Sequence, residues 1–128
     1  MSERVVVRRL AAVLIADAVG YSSRMTDDET RTHRQFMSDM DSVFRPLISS
    51  HSGHVVKTTG DGFLARFDSA VQAVECATAM QQQMQERLAA LPPERRMPYR
   101  MGINAGDIII EPEDVYGDDV NLARRLEE

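Results

Sequence analysis

Two carboxylates set among apolar residues are the side chains of this sequence best placed to do chemistry. Asp61 stands between two glycines in Val55-Val56-Lys57-Thr58-Thr59-Gly60-Asp61-Gly62-Phe63-Leu64, and Asp17 ends the apolar run Leu14-Ile15-Ala16 ahead of Ala18-Val19-Gly20-Tyr21-Ser22. β-Branched and apolar residues on both sides of the Thr-Gly-Asp-Gly punctuation read as two strands joined by a tight turn. Asp61 then sits at a hairpin tip, where a carboxylate can reach a divalent cation. The glycines allow backbone conformations that other residues avoid and let a bulky anionic group approach. Lys57 adds a positive charge near the same turn. Asp17 terminates a strand and Asp61 links two, so adjacent strands of one sheet can bring both to one edge. Magnesium takes its oxygen ligands from one or two such carboxylates plus substrate phosphates. Taken singly, a Gly-Asp-Gly turn also serves an ordinary hairpin, and Asp17 also suits a helix cap or turn.

The elements that must carry these residues follow from periodicity. A strand is expected over residues 11–16, buried on both faces because its apolar run is nearly continuous. Thr26-Asp27-Asp28-Glu29 has the form of a capping box. The helix after it carries Phe36, Met37, Met40, Val43, Phe44, Leu47 and Ile48 on one stripe, with a kink or a local break expected near Phe44 and Arg45 because of Pro46. Gly53 is expected to close that helix as a C-cap. A hairpin spans roughly 54–67. Ser69-Ala70-Val71-Gln72 opens a second helix with the stripe Ala73, Val74, Ala77, Met80, Met84 and Leu88, which Pro92-Pro93 ends. Residues 99–104 and 107–110 read as two strands around Ala105-Gly106, and a last helix begins near Asp118 or Asp119. The order β-α-β-β-α-β-β-α predicts an α+β fold of ferredoxin-like (split βαβ) type, with helices on one face of the sheet.

Bulk properties narrow the function. The 128 residues form one domain, large enough for a real core. A formal charge of −5 argues against a nucleic-acid or anionic-membrane surface. The single cysteine, Cys76, excludes an internal disulfide, fits a reducing cytoplasm and reads as core. Arg8 and Arg9 before the apolar run look superficially like a secretory leader. The run is too short for a membrane span and Asp17 interrupts it, so a cytoplasmic domain without membrane contact is expected. His51 and His54 flank a helix end and lack further zinc-type ligands.

Two more stretches complete the pattern: Tyr99-Arg100-Met101-Gly102-Ile103-Asn104-Ala105-Gly106, and Asp114-Val115-Tyr116-Gly117-Asp118-Asp119-Val120-Asn121-Leu122-Ala123-Arg124-Arg125. With the two carboxylate motifs, in this order, the chain resembles the catalytic domain of the class III nucleotidyl cyclases, the adenylate and guanylate cyclase family. The resemblance runs from about Arg9 to the last residue. It implies two divalent ions per site, Mg²⁺ or Mn²⁺, on Asp17, Asp61 and a backbone carbonyl near Ala18. It implies that Val19, Gly20, Tyr21 and Ser22 hold the β- and γ-phosphates through backbone N–H groups at a helix start. Asn121 and Arg125, four apart on one helical face, would orient the ribose and stabilise charge at the α-phosphate; without the resemblance they read as a polar helix face. Lys57 and Asp114 would read the adenine edge, since guanylate cyclases carry Glu and Cys or similar there. Glu113, next door, is the other carboxylate in reach of that role.

The implied reaction is conversion of ATP to 3′,5′-cyclic AMP and pyrophosphate. Family members share the site across a head-to-tail homodimer, with Asp17 and Asp61 from one copy and Lys57, Asp114, Asn121 and Arg125 from the other. The family continues past residue 128 with further strands and a triphosphate-binding Lys, so a catalytic domain incomplete at its C-terminus is expected. Two alternatives stay open: a nucleotide-binding regulatory and dimerisation module with weak or no turnover, and a guanylate cyclase. A diguanylate cyclase is disfavoured because no Gly-Gly-Asp/Glu-Glu-Phe motif occurs.

Overall fold

The computed structural model describes residues 7–21, 28–111 and 114–116, with side chains described over 10–21 and 28–108. Five strands form one antiparallel sheet in the order β2-β3-β1-β4-β5. They are β1 (Val7–Ala18), β2 (Gly53–Thr58), β3 (Gly62–Phe67), β4 (Tyr99–Glu111) and β5 (Asp114–Tyr116). Between β1 and β2 run α1 (Glu29–Asp39), a π turn (Met40–Phe44) and α2 (Arg45–Ser50), and α3 (Ala70–Ala89) joins β3 to β4. The first four strands have the split-βαβ arrangement that the element order predicts. The helix expected from Asp118 or Asp119 lies outside the described residues.

β1 is central because both of its edges are paired. It runs antiparallel to β3 from Ala12↔Phe67 to Asp17↔Gly62 and to β4 from Val7↔Ile110 to Ala18↔Tyr99. Its even-numbered residues Ala12, Leu14, Ala16 and Ala18 enter the main core with Phe36, Phe44, Ile48, Met80 and Met84 from the helical layer. The alternation of side chains along a strand puts Ala11, Val13 and Ile15 on the other face, where they pack with Leu64, Ile108 and Val56. Among the described residues no helix contributes to that second cluster. Asp17 shares its parity, so it belongs to that second face, opposite the one that packs on α1, α2 and α3. Ile108 of β4 and Val56 of β2 meet in one cluster, so the outer half of β4 curls over the sheet. β5 thereby touches β2, although the two lie at opposite ends of the strand order.

Several local expectations change. β4 is one continuous strand through Ala105 and Gly106, which pair with Ala12 and Ala11. Beyond it β4 pairs with β5, from Ile109↔Tyr116 to Glu111↔Asp114; Pro112 and Glu113 lie outside the described residues. Small residues on both strands let the long pairing with β1 persist where a glycine alone suggested a turn. The cap of α1 is Asp28, which accepts from the Arg31 N–H at 3.0 Å; Thr26 lies outside the described residues. Pro46 does not break the helix. The irregularity falls in the preceding turn, where the Arg45 N–H reaches back five residues to Met40, and Pro46 sits in the first turn of α2, where its missing N–H costs least. At the C-terminus the left-handed residue is Ser52, φ 59°, not Gly53. Gly53 opens β2 for another reason: a Cβ there would run into the Phe67 ring. Ser69 does cap α3, accepting from Gln72 N–H at 3.3 Å. On the helix stripes, Met37 is 39% and Val74 53% exposed, and Cys76 takes the buried place expected of Val74. Burial pushes the Cys76 thiol up to about 11, which suits core filling rather than nucleophilic use.

Candidate active site

The end of β1 and the β2–β3 turn are stitched together by backbone. The Ala18 N–H donates to the Asp61 carbonyl at 2.8 Å, and the Thr59 N–H donates to the Gly62 carbonyl at 2.8 Å. The second bond closes a two-residue turn of Gly60 and Asp61. Asp17 is the cross-strand partner of Gly62, so the two carboxylate-bearing residues sit at one end of adjacent strands. The turn glycines work differently from expectation, because neither has a positive φ. A Cβ on Gly60 would meet open space, whereas one on Gly62 would collide with the Ala16 backbone carbonyl. Gly62 is therefore what lets the Asp61 turn close onto β1. Gly62→Ala should cost about 1–3 kcal/mol through forced backbone shifts and lower activity with it. Gly60→Ala should leave the melting temperature near wild type; thermal unfolding of both variants checks the contrast.

The carboxylates have few hydrogen-bond partners of their own. Asp17 Oδ1 is buried and receives no hydrogen bond among the described residues. The Arg100 Nε stands 3.6 Å away, close enough for charge attraction but beyond a good hydrogen bond. Arg100 faces Asp17 because it is its strand partner on β4. The sequence reading missed this residue, and the only signal for it was the register between β1 and β4. Thr59 Oγ1 donates to Asp61 Oδ1 at 3.3 Å. A buried, unsatisfied carboxylate oxygen is costly, and a cation relieves that cost directly, so this donor set fits a divalent metal. Among the described residues no group of three or more His, Cys, Asp or Glu is clustered for metal binding.

The segment after Asp17 is partly spoken for. The Ala18 and Val19 N–H groups donate to the carbonyls of Asp61 and Pro98, each at 2.8 Å, so in this structure the Val19 N–H, one of those the resemblance implied for phosphate, is already engaged. Any such role falls to Gly20 and later residues. Gly20 has φ 75°, a conformation that glycine adopts without penalty, and it turns the chain away from β1. The Tyr21 ring packs edge-on against Phe36, with centroids 6.3 Å apart. Its phenol is held above the usual range, first by burial and then by the charges of Asp61 and Glu29. Ser22 lies outside the described residues, as do Asn121 and Arg125.

Lys57 lies on β2 beyond a bulge. Val55 pairs with Ala65 and Lys57 with Leu64, so Val56 is the extra residue. The bulge turns Lys57 onto the face that carries Leu64 and Asp17. Asp114 is the first residue of β5, the strand that touches β2, so the backbone brings the carriers of Lys57 and Asp114 together. Two open concavities among the described residues, about 230 and 580 Å³, lie between α1 and the turn at Pro93–Arg95.

Comparison with known proteins agrees with this architecture. A putative adenylate cyclase of Rhizobium meliloti is 50% identical over 127 residues, covering 99% of this chain and 22% of the relative. An adenylate cyclase of Streptomyces coelicolor is 33% identical, covering 97% of this chain and 31% of the relative. The chain therefore spans only about a fifth to a third of these relatives. The crystal structure of an adenylate/guanylate cyclase/hydrolase from Silicibacter pomeroyi superimposes with a TM-score of 0.89 at 46% identity, over 96% of this chain and 72% of that one. Residues 8–128 match the family model described as the adenylate and guanylate cyclase catalytic domain, and the chain belongs to that family.

Proposed function

We propose that this domain is an adenylate cyclase that converts ATP to 3′,5′-cyclic AMP and pyrophosphate at sites shared between two copies of the chain. The observation that carries the proposal is the joining of Asp17 and Asp61 at one sheet end, with Asp17 Oδ1 buried and lacking a hydrogen bond among the described residues. Asp17 and Asp61, with the Ala18 carbonyl, would hold two Mg²⁺ or Mn²⁺ ions. When bound, such ions neutralise phosphate charge and activate the attacking ribose hydroxyl. Asp61 is fixed by its own backbone carbonyl, so its carboxylate is presented without depending on substrate. Gly20, Tyr21 and Ser22 would take the phosphates, Asn121 would orient the ribose, and Arg125 would stabilise charge developing at the α-phosphate. Membership of the cyclase family supports a site completed by a second copy. The adenylate cyclase names of the relatives favour the cyclase reading over a silent regulatory module.

Base choice rests on Lys57 and Asp114, a donor and an acceptor that match adenine, while guanine presents the reverse order. The contact between β2 and β5 supports their acting as a pair. Lys57→Glu combined with Asp114→Cys should shift the ATP-to-GTP preference by tens-fold, because a mispaired buried polar group costs about 1–3 kcal/mol. The ratio of kcat/KM values for the two nucleotides measures it. An unchanged ratio moves the base pocket away from this pair, with Glu113 the next residue to test. Wild type that prefers GTP at the outset would make the domain a guanylate cyclase.

A further inference from the structure

Among the described residues, Asp39 is the only charged side chain that is fully buried. It sits in the helical layer, where its neighbours Phe36, Met40 and Val43 are apolar. Three elements donate to it: Gln35 of α1 at 3.0 Å and Arg87 of α3 at 2.9 Å to Oδ1, and the Tyr99 hydroxyl of β4 at 2.9 Å to Oδ2. A second Arg87 nitrogen donates to Ser38 Oγ at 2.5 Å. Burial raises the Asp39 carboxyl above its usual range, the three donors working against it. Replacing a whole buried ion pair and its partners by apolar groups is often neutral or stabilising. Stability alone thus gives little reason for the carboxylate.

Its reach gives one. Tyr99 is the first residue of β4 and the strand partner of Ala18, and the next pair along is Arg100 with Asp17. Beside it, the Pro98 carbonyl accepts from Val19. Tyr99 is held at three points. Its hydroxyl goes to Asp39, its carbonyl accepts from Gln81 Nε2 at 3.1 Å, and its ring meets Phe44 edge-on with centroids 4.7 Å apart. Phe44 in turn packs on Phe63, the residue after Gly62. We infer that Asp39 and Tyr99 are positioning residues: the buried carboxylate fixes the start of β4, and through it the end of β1 that carries Asp17 and meets the Asp61 turn. The kinetic part of this inference rests on the cyclase reading; the structural part does not.

The test compares Tyr99→Phe, Asp39→Ala and Asp39→Asn in the full-length protein. Asparagine keeps the contact, because its amide can donate to the Tyr99 hydroxyl, which accepts as well as donates. Amide exchange by mass spectrometry, without nucleotide or metal, should quicken over residues 15–21 and 97–103 about five- to ten-fold in Tyr99→Phe, the size of one lost hydrogen bond, and by more in Asp39→Ala, which removes three. It should stay near wild type in Asp39→Asn, and over residues 53–56 in all three. The kcat should fall about ten-fold or more in the two loosened variants, with KM for ATP little changed, since small misplacements of reacting groups act on turnover. Should Tyr99→Phe fail to fold, Gln81→Ala, at an exposed position, removes the second tether and should give a smaller change in the same segments. Wild-type exchange and kcat in the loosened variants, or a uniform rise across every strand, overturns the inference. A wild-type protein without cyclase activity that still shows the local exchange pattern removes the cyclase reading alone.

Discussion

Asp61→Asn should abolish nucleotide cyclisation in the full-length protein while leaving its fold and most of its ATP affinity in place. The substitution keeps side-chain size and leaves the Asp61 carbonyl, which accepts from Ala18 N–H, untouched. The side chain is only partly buried, so stability should change within about 0.5 kcal/mol. The loss is one negative charge where metal and developing phosphate charge meet, and interactions made mainly in the transition state act on turnover more than on binding. Removal of one preorganised electrostatic contribution costs about 10²–10³ in kcat. Turnover with Mn²⁺ in excess, set beside nucleotide affinity by calorimetry, separates the two effects. Wild-type turnover in the Asn variant would refute the metal assignment.

The second large effect concerns sharing of the site. Asp17→Ala and Arg125→Ala should each be inactive as homodimers, because every site in them lacks one essential group. Mixed and allowed to exchange, half the dimers are heterodimers, and each holds one site built entirely from unmutated residues. Recovery should then approach about a quarter of wild-type activity. Asp17→Ala removes a buried carboxylate oxygen that is itself costly to keep, and Arg100, 3.6 Å from it, is half exposed and can be solvated, so folding should survive. Activity that stays absent while heterodimers are demonstrated by mass would place all the groups within one chain.

Much of the scaffold was legible because local chemistry and tertiary demand agree. The buried strand before Asp17, the hairpin bearing Asp61 and the Ser69 cap each follow from a few consecutive residues. Misreadings arose where one residue has two uses. Gly106 signalled a turn but lies within a long strand. Gly53 signalled a helix cap, yet Ser52 takes the left-handed conformation and Gly53 makes room for Phe67. The Asp39 network was invisible, because Arg87 and Tyr99 lie 48 and 60 residues away from it in sequence. In the site, the motifs supplied Asp17 and Asp61, and the backbone tie between Ala18 and Asp61 explains how they come together. Arg100 could be found only through strand register. The commitment of the Ala18 and Val19 N–H groups to carbonyls also depends on contacts that no spacing rule encodes.

The account's central claim is tested most directly by the products formed from ATP. Purified full-length protein, incubated with ATP and Mn²⁺ at concentrations where it is dimeric, should release cyclic AMP and pyrophosphate in equal amounts, and chelation of the metal should stop both. ADP or inorganic phosphate in place of that pair, or no product from a demonstrably folded dimer, would contradict it.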